Sequence, residues 1–599
     1  MKRLIQRATT LLSMLFVSLA ACSGSTGDEI AADVSIANDL SPSCAAFSDD
    51  RNLFWGDLHV HTAYSLDAYG YGTIADPDDA HRFAKGDPLE IDGESIQLRE
   101  PLDFVAITDH AEWLDLLYLC TDPEQLDDLY CQNLRAQSGR TTGRQVFVDY
   151  VIPTITKEEP QANPLCVDQP ELCERAWLDN WQRVQDSANQ HNAPCEFTTF
   201  VGFEWSATPR FSHTHRNVIF ASDTVSKEAI DYVRYPTLDD LWEQLDLQCK
   251  AEDGCDAITI PHNTNMGDGK TFDVETATSR SLELRVRYER LIEVHQEKGN
   301  SECLPPYGTD LVPETGRVDP NADCGFEVDV TLRSQPIAAE DFTELEWEKM
   351  RQTYVRGLLL RGLEHRAKHG HSHDNPLKLG IVGATDTHLA APGYVDEEHF
   401  EGTAFSFGDV ETTMQRPHWN PGGLTGIWAE ENTREALFAS LKRREVYATS
   451  GPRISLRFSA STDGVEPRCE PGARGDIRMG AEFSSTSVPP VFAMDIDADR
   501  TPIASIEIIK GTWLDGSLTE TVIPVWRQND ADGQTVCATW KDAAFDKSSP
   551  AFWYARVLEE PTPRWSKHMC EATDTCDQFE GADRMIQERA WSSPIWYLP

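Results

Sequence analysis

This sequence predicts an α/β protein: strands alternating with helices, which over this length means a barrel, followed by a smaller β-rich domain. Three observations carry that prediction. First, apolar runs of strand length, such as Phe104 to Ile107 and Ile258 to Pro261, alternate with helix-length amphipathic stretches. Second, histidines and carboxylates recur where such a run has just ended. In (β/α) barrels the loops at the C-terminal strand ends converge on one mouth, so that position is where chemistry is expected. Third, beyond Gly451 the helical pattern gives way to short strands separated by turn residues.

The elements follow in order. Lys2, Arg3 and Arg7 precede an apolar run from Leu11 to Ala21, which reads as an export signal and is too short for a membrane span. Leu19-Ala20-Ala21-Cys22 resembles a bacterial lipobox, which implies a signal over 1–21, a lipidated Cys22 and an outer-membrane lipoprotein. An ordinary secretory signal is the plainer alternative. Residues 22–50 are small, polar and acidic, a tether. The body is expected over 51–451, with insertions at 112–195 and 296–375, and the β-rich domain over 452–599. Within the body, a strand should lead into His59, another from Leu102 to Ile107 into Asp109-His110, and another into Glu204. Helices are expected over Thr237 to Gln248 and from about Glu344 to His369. The last strand, Leu377 to Ala384, leads to Asp386 and His388.

Composition narrows the class. Of 599 residues 40% are hydrophobic, enough for a large core, and the formal charge is −46. So acidic a surface repels nucleic acid and anionic lipid, leaving the N-terminal lipid as the expected membrane attachment. An anionic substrate needs local cations, which bound metals supply. Setting Cys22 aside, the fourteen other cysteines are even in number and mostly close in sequence. Cys120 with Cys131, Cys166 with Cys173, Cys249 with Cys255, Cys303 with Cys324, and Cys570 with Cys576 are expected loop staples of an oxidising compartment.

The segment from Trp55 to Asp67 holds the first chemistry. On a strand His59 and His61 point to one face, and Asp67 follows six residues later, a start for a transition-metal site. Downstream, His110, Glu204, His215, His262, Asp386 and His388 stand at strand ends or beside them. Asp109 is suited to orient a ligand or move protons. Arg216, Asn263, His295 and Asn300 are candidates to hold substrate oxygens. His365 and His369 share a helix face, but so close to Gly370 they read as helix-terminal residues favoured by the dipole.

The D-L-H-x-H-T-x-x-S motif at Asp57, the T-D-H at Thr108, the G-x-E at Gly202, the P-H at Pro261 and the D-x-H at Asp386 together resemble the polymerase and histidinol phosphatase (PHP) superfamily. Glu204-Trp205-Ser206, His215 to Val218, Gly299 to Glu302 and Tyr447 to Gly451 resemble an exported bacterial branch labelled a domain of unknown function. The resemblance implies a distorted (β/α)7 barrel of TIM-like type and two or three Zn, Mn or Fe ions. Their ligands would be His59, His61, Asp67, His110, Glu204, His215, His262, Asp386 and His388. His213, two residues from His215, competes for its place. Two ions roughly 3.5–4 Å apart share a hydroxide and clamp a phosphoryl oxygen. The expected activity is hydrolysis of phosphate mono- or diesters of small molecules. The same site acting on a sulfate, phosphonate or amide bond is the alternative within enzymes, and a non-catalytic metal-binding or scaffolding lipoprotein the alternative outside them. Oligomeric state is left open.

Overall fold

In the computed structural model the strand Asn52–Asp57 lies inside the largest sheet, antiparallel to Leu424–Ala429 and parallel to Phe104–Ala106. The structure describes residues 44–307, 323–328, 343–369, 375–416, 418–472, 475–486, 488–529, 533–579 and 584–599. The lipobox, Cys22 and most of the expected tether lie outside them.

The architecture is mixed α/β. The large sheet has eleven strands, and its parallel part continues from Phe104–Ala106 to Thr198–Phe200. On the other side Val446–Thr449 pairs with Arg589–Ser592, and that strand with Ala551–Glu559. Strands from both sides of residue 451 thus share one sheet. They also share one core, in which Trp55, Val105 and Tyr447 cluster with Phe458, Phe492 and Trp553. The β-rich region is present, including a four-stranded antiparallel sheet built on Ser455–Ser461 and Val491–Asp497, but it extends the body's sheet rather than standing apart.

The expected distorted (β/α)7 barrel is not shown, since no sheet closes among the described residues. Gly202–Trp205, Arg216–Phe220 and Ala257–Pro261 make a separate antiparallel sheet. The physical reason lies in the connection. Segment 206–215 is shorter than the crossover of about a dozen residues or more that parallel strands need, so the chain returns as a hairpin. A third small sheet pairs Leu291–Gln296 with Gly380–Gly383 in parallel and with Gly299–Asn300 as a tight hairpin. Two isolated parallel bridges, Val60 with Thr387 and His110 with Glu204, tie the strand ends of different sheets together.

The insertion at 112–195 is helical as expected and ends in the 22-residue helix Pro170–His191. Leu238–Gln248 starts at a capping box, Thr237 with Asp240. The expected helix from Glu344 to His369 is two helices, Glu344–Arg351 and Val355–His369. A Cβ on Gly357 would lie 2.4 Å from the Arg351 carbonyl, so the second helix begins closer to the first than a continuous helix allows. All five expected cysteine pairs are disulfides, joined by Cys44–Cys195 and Cys469–Cys537. Among the described residues no helix is long and apolar enough to cross a membrane.

Candidate metal centre

The strand ends deliver eight of the nine expected ligands into one buried cluster, and the short helix Leu66–Gly70 brings the ninth, Asp67, over it. Both Asn263 and Asp386 take left-handed backbone angles just past their strands, φ 56° and 55°. Asn and Asp tolerate that region better than other non-glycine residues, and such strain concentrates at functional sites.

The donor atoms sort into three groups. Glu204 Oε2 lies 3.2 Å from both His59 Nε2 and His61 Nε2, and Asp386 Oδ1 lies 3.3 Å from the same two nitrogens. On its other side Glu204 Oε1 is 2.6 Å from His215 Nδ1 and 3.4 Å from His262 Nε2. Asp67 Oδ2 is 3.3 Å from His110 Nε2 and 3.1 Å from His388 Nε2. Two donors at about 2.1 Å from a tetrahedral ion stand about 3.4 Å apart, so most of these spacings are those of ligands sharing a cation. His215, rather than His213, is the residue that reaches Glu204.

Outer contacts set the tautomers. His59 Nδ1 meets Glu293 Oε2 at 3.0 Å, His61 Nδ1 meets Ser65 Oγ at 2.8 Å, and His110 Nδ1 meets Ser206 Oγ at 2.5 Å. His215 Nε2 meets Thr208 Oγ1 at 2.6 Å, and His388 Nδ1 meets the Asp386 carbonyl at 2.8 Å. Each of these imidazoles is held by one nitrogen and offers the other to the centre, the usual arrangement around a metal. Fully buried His262 finds no hydrogen-bond partner for Nδ1, and buried Glu293 finds none for Oε1. Orphaned buried donors and acceptors of this kind, converging on carboxylates, are the chemistry of a cation site, and the donor set suits Zn, Mn or Fe.

The electrostatics agree. Burial works against a charged His59, yet Asp386 and Glu293 hold its imidazolium well above the usual range. Against the same burial, Glu204 and Asp67 raise His110 to about 9, and Asp67 raises His388 to about 10. Burial keeps His215 neutral, down to about 4, and lowers His262 as well. Although burial opposes their charge, Glu204, Asp67 and Asp386 stay well below the carboxylate range because histidines, and for Asp386 also Lys298, surround them. Protons on His59, His110 and His388 stand where cations balance the carboxylates.

Other expected site residues fall differently. Asp109 accepts from Thr62 N and Oγ1 and from Ser65 Oγ, and Ser65 in turn holds His61, so Asp109 orients a ligand through one intermediary. Asn263 Oδ1 accepts from Gln296 Nε2 beside Asp386. Arg216 is a correction. It is completely buried, paired with Glu289 at 2.5 Å and bonded to the carbonyls of Thr214, His215 and Thr271, which turns its guanidinium to a structural task. His295 is a second correction. A register shift in the pairing of its strand with Gly380–Gly383 takes it off the face of Glu293, and its ring packs near Phe326 and Trp591. Asn300 uses Oδ1 to accept from Glu302 N, a turn contact.

Glu293, Gln296, Glu297 and Lys298 belong to the centre and were not expected. Lys298 Nζ bonds Asp386 Oδ2, Gln296 Nε2 bonds the same oxygen at 2.6 Å, and Glu297 Oε1 is 3.3 Å from His388 Nδ1. A signal existed: Glu293 is a charge inside an apolar strand, Gln296 ends that strand, and Glu297 and Lys298 stand just past it. Asp67 and Lys298 are the more exposed members of the centre, with side chains 12% and 15% exposed.

A family model, protein of unknown function DUF3604, matches residues 48–536 and 525–599. An uncharacterised protein of Chlamydia pneumoniae is 21% identical over 422 residues, 70% of this chain and 49% of the relative, so the chain spans about half that relative's length. Among solved structures, the chain is similar to a two-domain protein of Bacteroides vulgatus containing a predicted PHP-like metal-dependent phosphoesterase. Identity is 12%, coverage 87% of this chain and 95% of that one, and the TM-score 0.27 is too slight to specify a fold.

Proposed function

The chain belongs to the DUF3604 family, a description that names no activity, and from its own residues we propose that it is a multinuclear metal-dependent hydrolase of phosphate esters. One observation carries this reading: the two oxygens of Glu204 face two different pairs of histidines, so one carboxylate serves two ion positions. Structural sites are usually closed by four ligands around one ion, whereas adjoining ions that share a carboxylate are the device of hydrolytic enzymes. His59, His61, Glu204 and Asp386 would hold one ion, Glu204, His215 and His262 a second, and Asp67, His110 and His388 a third. Bound ions would supply Lewis acidity and a water acidified toward a pKa of about 7.

The chain's own part is positioning. Glu293, Ser65, Ser206 and Thr208 fix the imidazoles, and Asp109 fixes Ser65. Partly exposed Lys298 takes over the role of anion-holding cation that Arg216 does not fill. The PHP-type distorted barrel remains part of this proposal, supported by strand ends of separate sheets meeting around one site. Export and a lipid on Cys22 are proposed with it, and seven disulfides support an oxidising compartment. The substrate is proposed to be a small anionic ester, with no nucleic acid partner.

The test is a metal analysis of protein purified without chelator, followed by a panel of chromogenic phosphate mono- and diesters. Metal without turnover on any ester would favour the scaffolding reading. Turnover confined to sulfate, phosphonate or amide substrates would move the reaction class.

A further inference from the structure

The motif Tyr447 to Gly451 has no part in the histidine centre, and its last residue lines a separate cavity. Ser450 N donates to the Arg589 carbonyl at 3.0 Å, Arg589 N donates to Ser450 Oγ at 2.9 Å, and the same hydroxyl bonds the Glu588 carboxylate. Gly451 follows at φ 138°, where a Cβ would lie 3.2 Å from the Val395 carbonyl, so the turn closes tightly only with glycine. It lines a cavity of about 700 Å³ whose walls also carry Glu397, Glu559 and Glu588.

Those three carboxylates come from separate parts of the chain. Glu397 opens the short turn Glu397–His399, Glu559 ends the strand Ala551–Glu559, and Glu588 precedes Arg589–Ser592. Glu559 N donates to the Glu588 carbonyl at 2.9 Å, which makes those two backbone neighbours. Glu559 is 1% exposed and Glu588 5%, and Glu559 Oε1 has no hydrogen-bond partner. Of the cations near the cavity, Arg564 forks onto Glu327, Arg99 bonds Asp499, Arg453 bonds the carbonyls of Glu100 and Pro101, and Arg500 lies 3.9 Å from Asp396, while His568 also lines the wall. Burial, with Asp499 nearby, pushes Glu559 up to about 8, and burial with Glu397 and Glu559 nearby holds Glu588 well above the carboxylate range. A fully buried acceptor left without a donor, in a cavity with two further carboxylates, asks for a cation.

We infer that this cavity is a second cation site, separate from the histidine centre, which binds a hard divalent ion of the calcium class through Glu559, Glu588 and Glu397. The donors are all oxygen, which turns away the softer ions that imidazoles select. They come from three segments in a roomy cavity, which suits the larger, adaptable shell of calcium better than the strict octahedron of magnesium. Ser450 orients Glu588, which gives the motif its task. The ion ties the ends of the C-terminal strands to the segment before Glu397, and Gly393 N on that segment donates to Asp57 Oδ2 under the opening motif.

The experiment is calorimetric titration of calcium chloride into calcium-free protein whose histidine centre is loaded, with thermal unfolding alongside. One saturable event is expected, with Kd between about 10⁻⁶ and 10⁻³ M, and with a calcium-dependent rise in Tm. Glu559→Gln should weaken the event by about tenfold or more and remove the rise in Tm, while His262→Ala should leave the event in place. If Glu559→Gln does not fold, Glu397→Gln takes its place with the same expectation. No saturable event in the wild type, an event of unchanged strength in the glutamine variant, or its loss in His262→Ala would each overturn the inference.

Discussion

Replacing Arg216 by alanine separates two roles for this residue by magnitude. Its guanidinium is fully buried, pairs with Glu289 at 2.5 Å and bonds three backbone carbonyls. Alanine leaves the Glu289 carboxylate buried with only Arg285 beside it. Breaking a buried pair by removing one partner costs about 3–5 kcal/mol, and because Arg285 remains, about 3 kcal/mol is expected. That is a large share of a typical domain's stability of about 5–15 kcal/mol. Urea unfolding followed by tryptophan fluorescence should show a clearly lower midpoint, with metal content of the folded fraction near that of the wild type. Turnover per folded molecule should fall far less than the roughly 10²-fold loss expected for a charge that stabilises the transition state. Unchanged stability together with a 10²-fold loss of turnover would refute the structural role and return Arg216 to the substrate.

Other outcomes follow from the same centre. Glu204→Gln should lower metal occupancy by about two ions per chain and turnover by at least about 10²-fold, read by elemental analysis after gel filtration; full occupancy would contradict a shared carboxylate. Metal uptake should release protons and strengthen as pH rises, because ions displace protons held on His59, His110 and His388. Titration in buffers of different ionisation enthalpy measures that release. For the metal-free chain the sign reverses. His110 and His388 are raised above the unfolded value of about 6.5, so their contribution is complete below that pH and is lost as pH climbs through about 9 to 10, which alkaline unfolding midpoints report. Lys298→Met should leave metal bound while raising KM for anionic esters; an unchanged KM would remove Lys298 from the substrate pocket. Cys22→Ser should abolish incorporation of labelled fatty acid, and failure of the native chain to incorporate any would overturn the lipid anchor.

The clustering of the candidate ligands was legible because a strand end is a position that sequence marks: the apolar run stops and a polar residue follows. That rule found His59, His110, Glu204, His262, Asp386 and His388, and local spacing found five of the seven disulfides. Cys44–Cys195 and Cys469–Cys537 span 151 and 68 residues, and such pairings follow only from tertiary contacts. The rule misled at His295, since a register shift turned it away while Glu293 on the same strand turned inward. Arg216 was misread because a buried arginine beside a ligand looks alike whether its partner is a substrate or Glu289, and Glu289 lies 73 residues away. The sheets were the least legible. Alternating strands and helices suggested parallel order, but the short segment 206–215 imposed a hairpin, and strands beyond residue 451 joined the opening strand's own sheet.

The most direct test of the central claim is a count of tightly bound metal in the wild-type chain after reconstitution with Zn, Mn or Fe and removal of free ion. Three donor groups, two of them sharing Glu204, predict two or three ions per chain, all transition metals, with occupancy falling in His61→Ala and His262→Ala. A content near zero, or a single ion unaffected by either substitution, would contradict it.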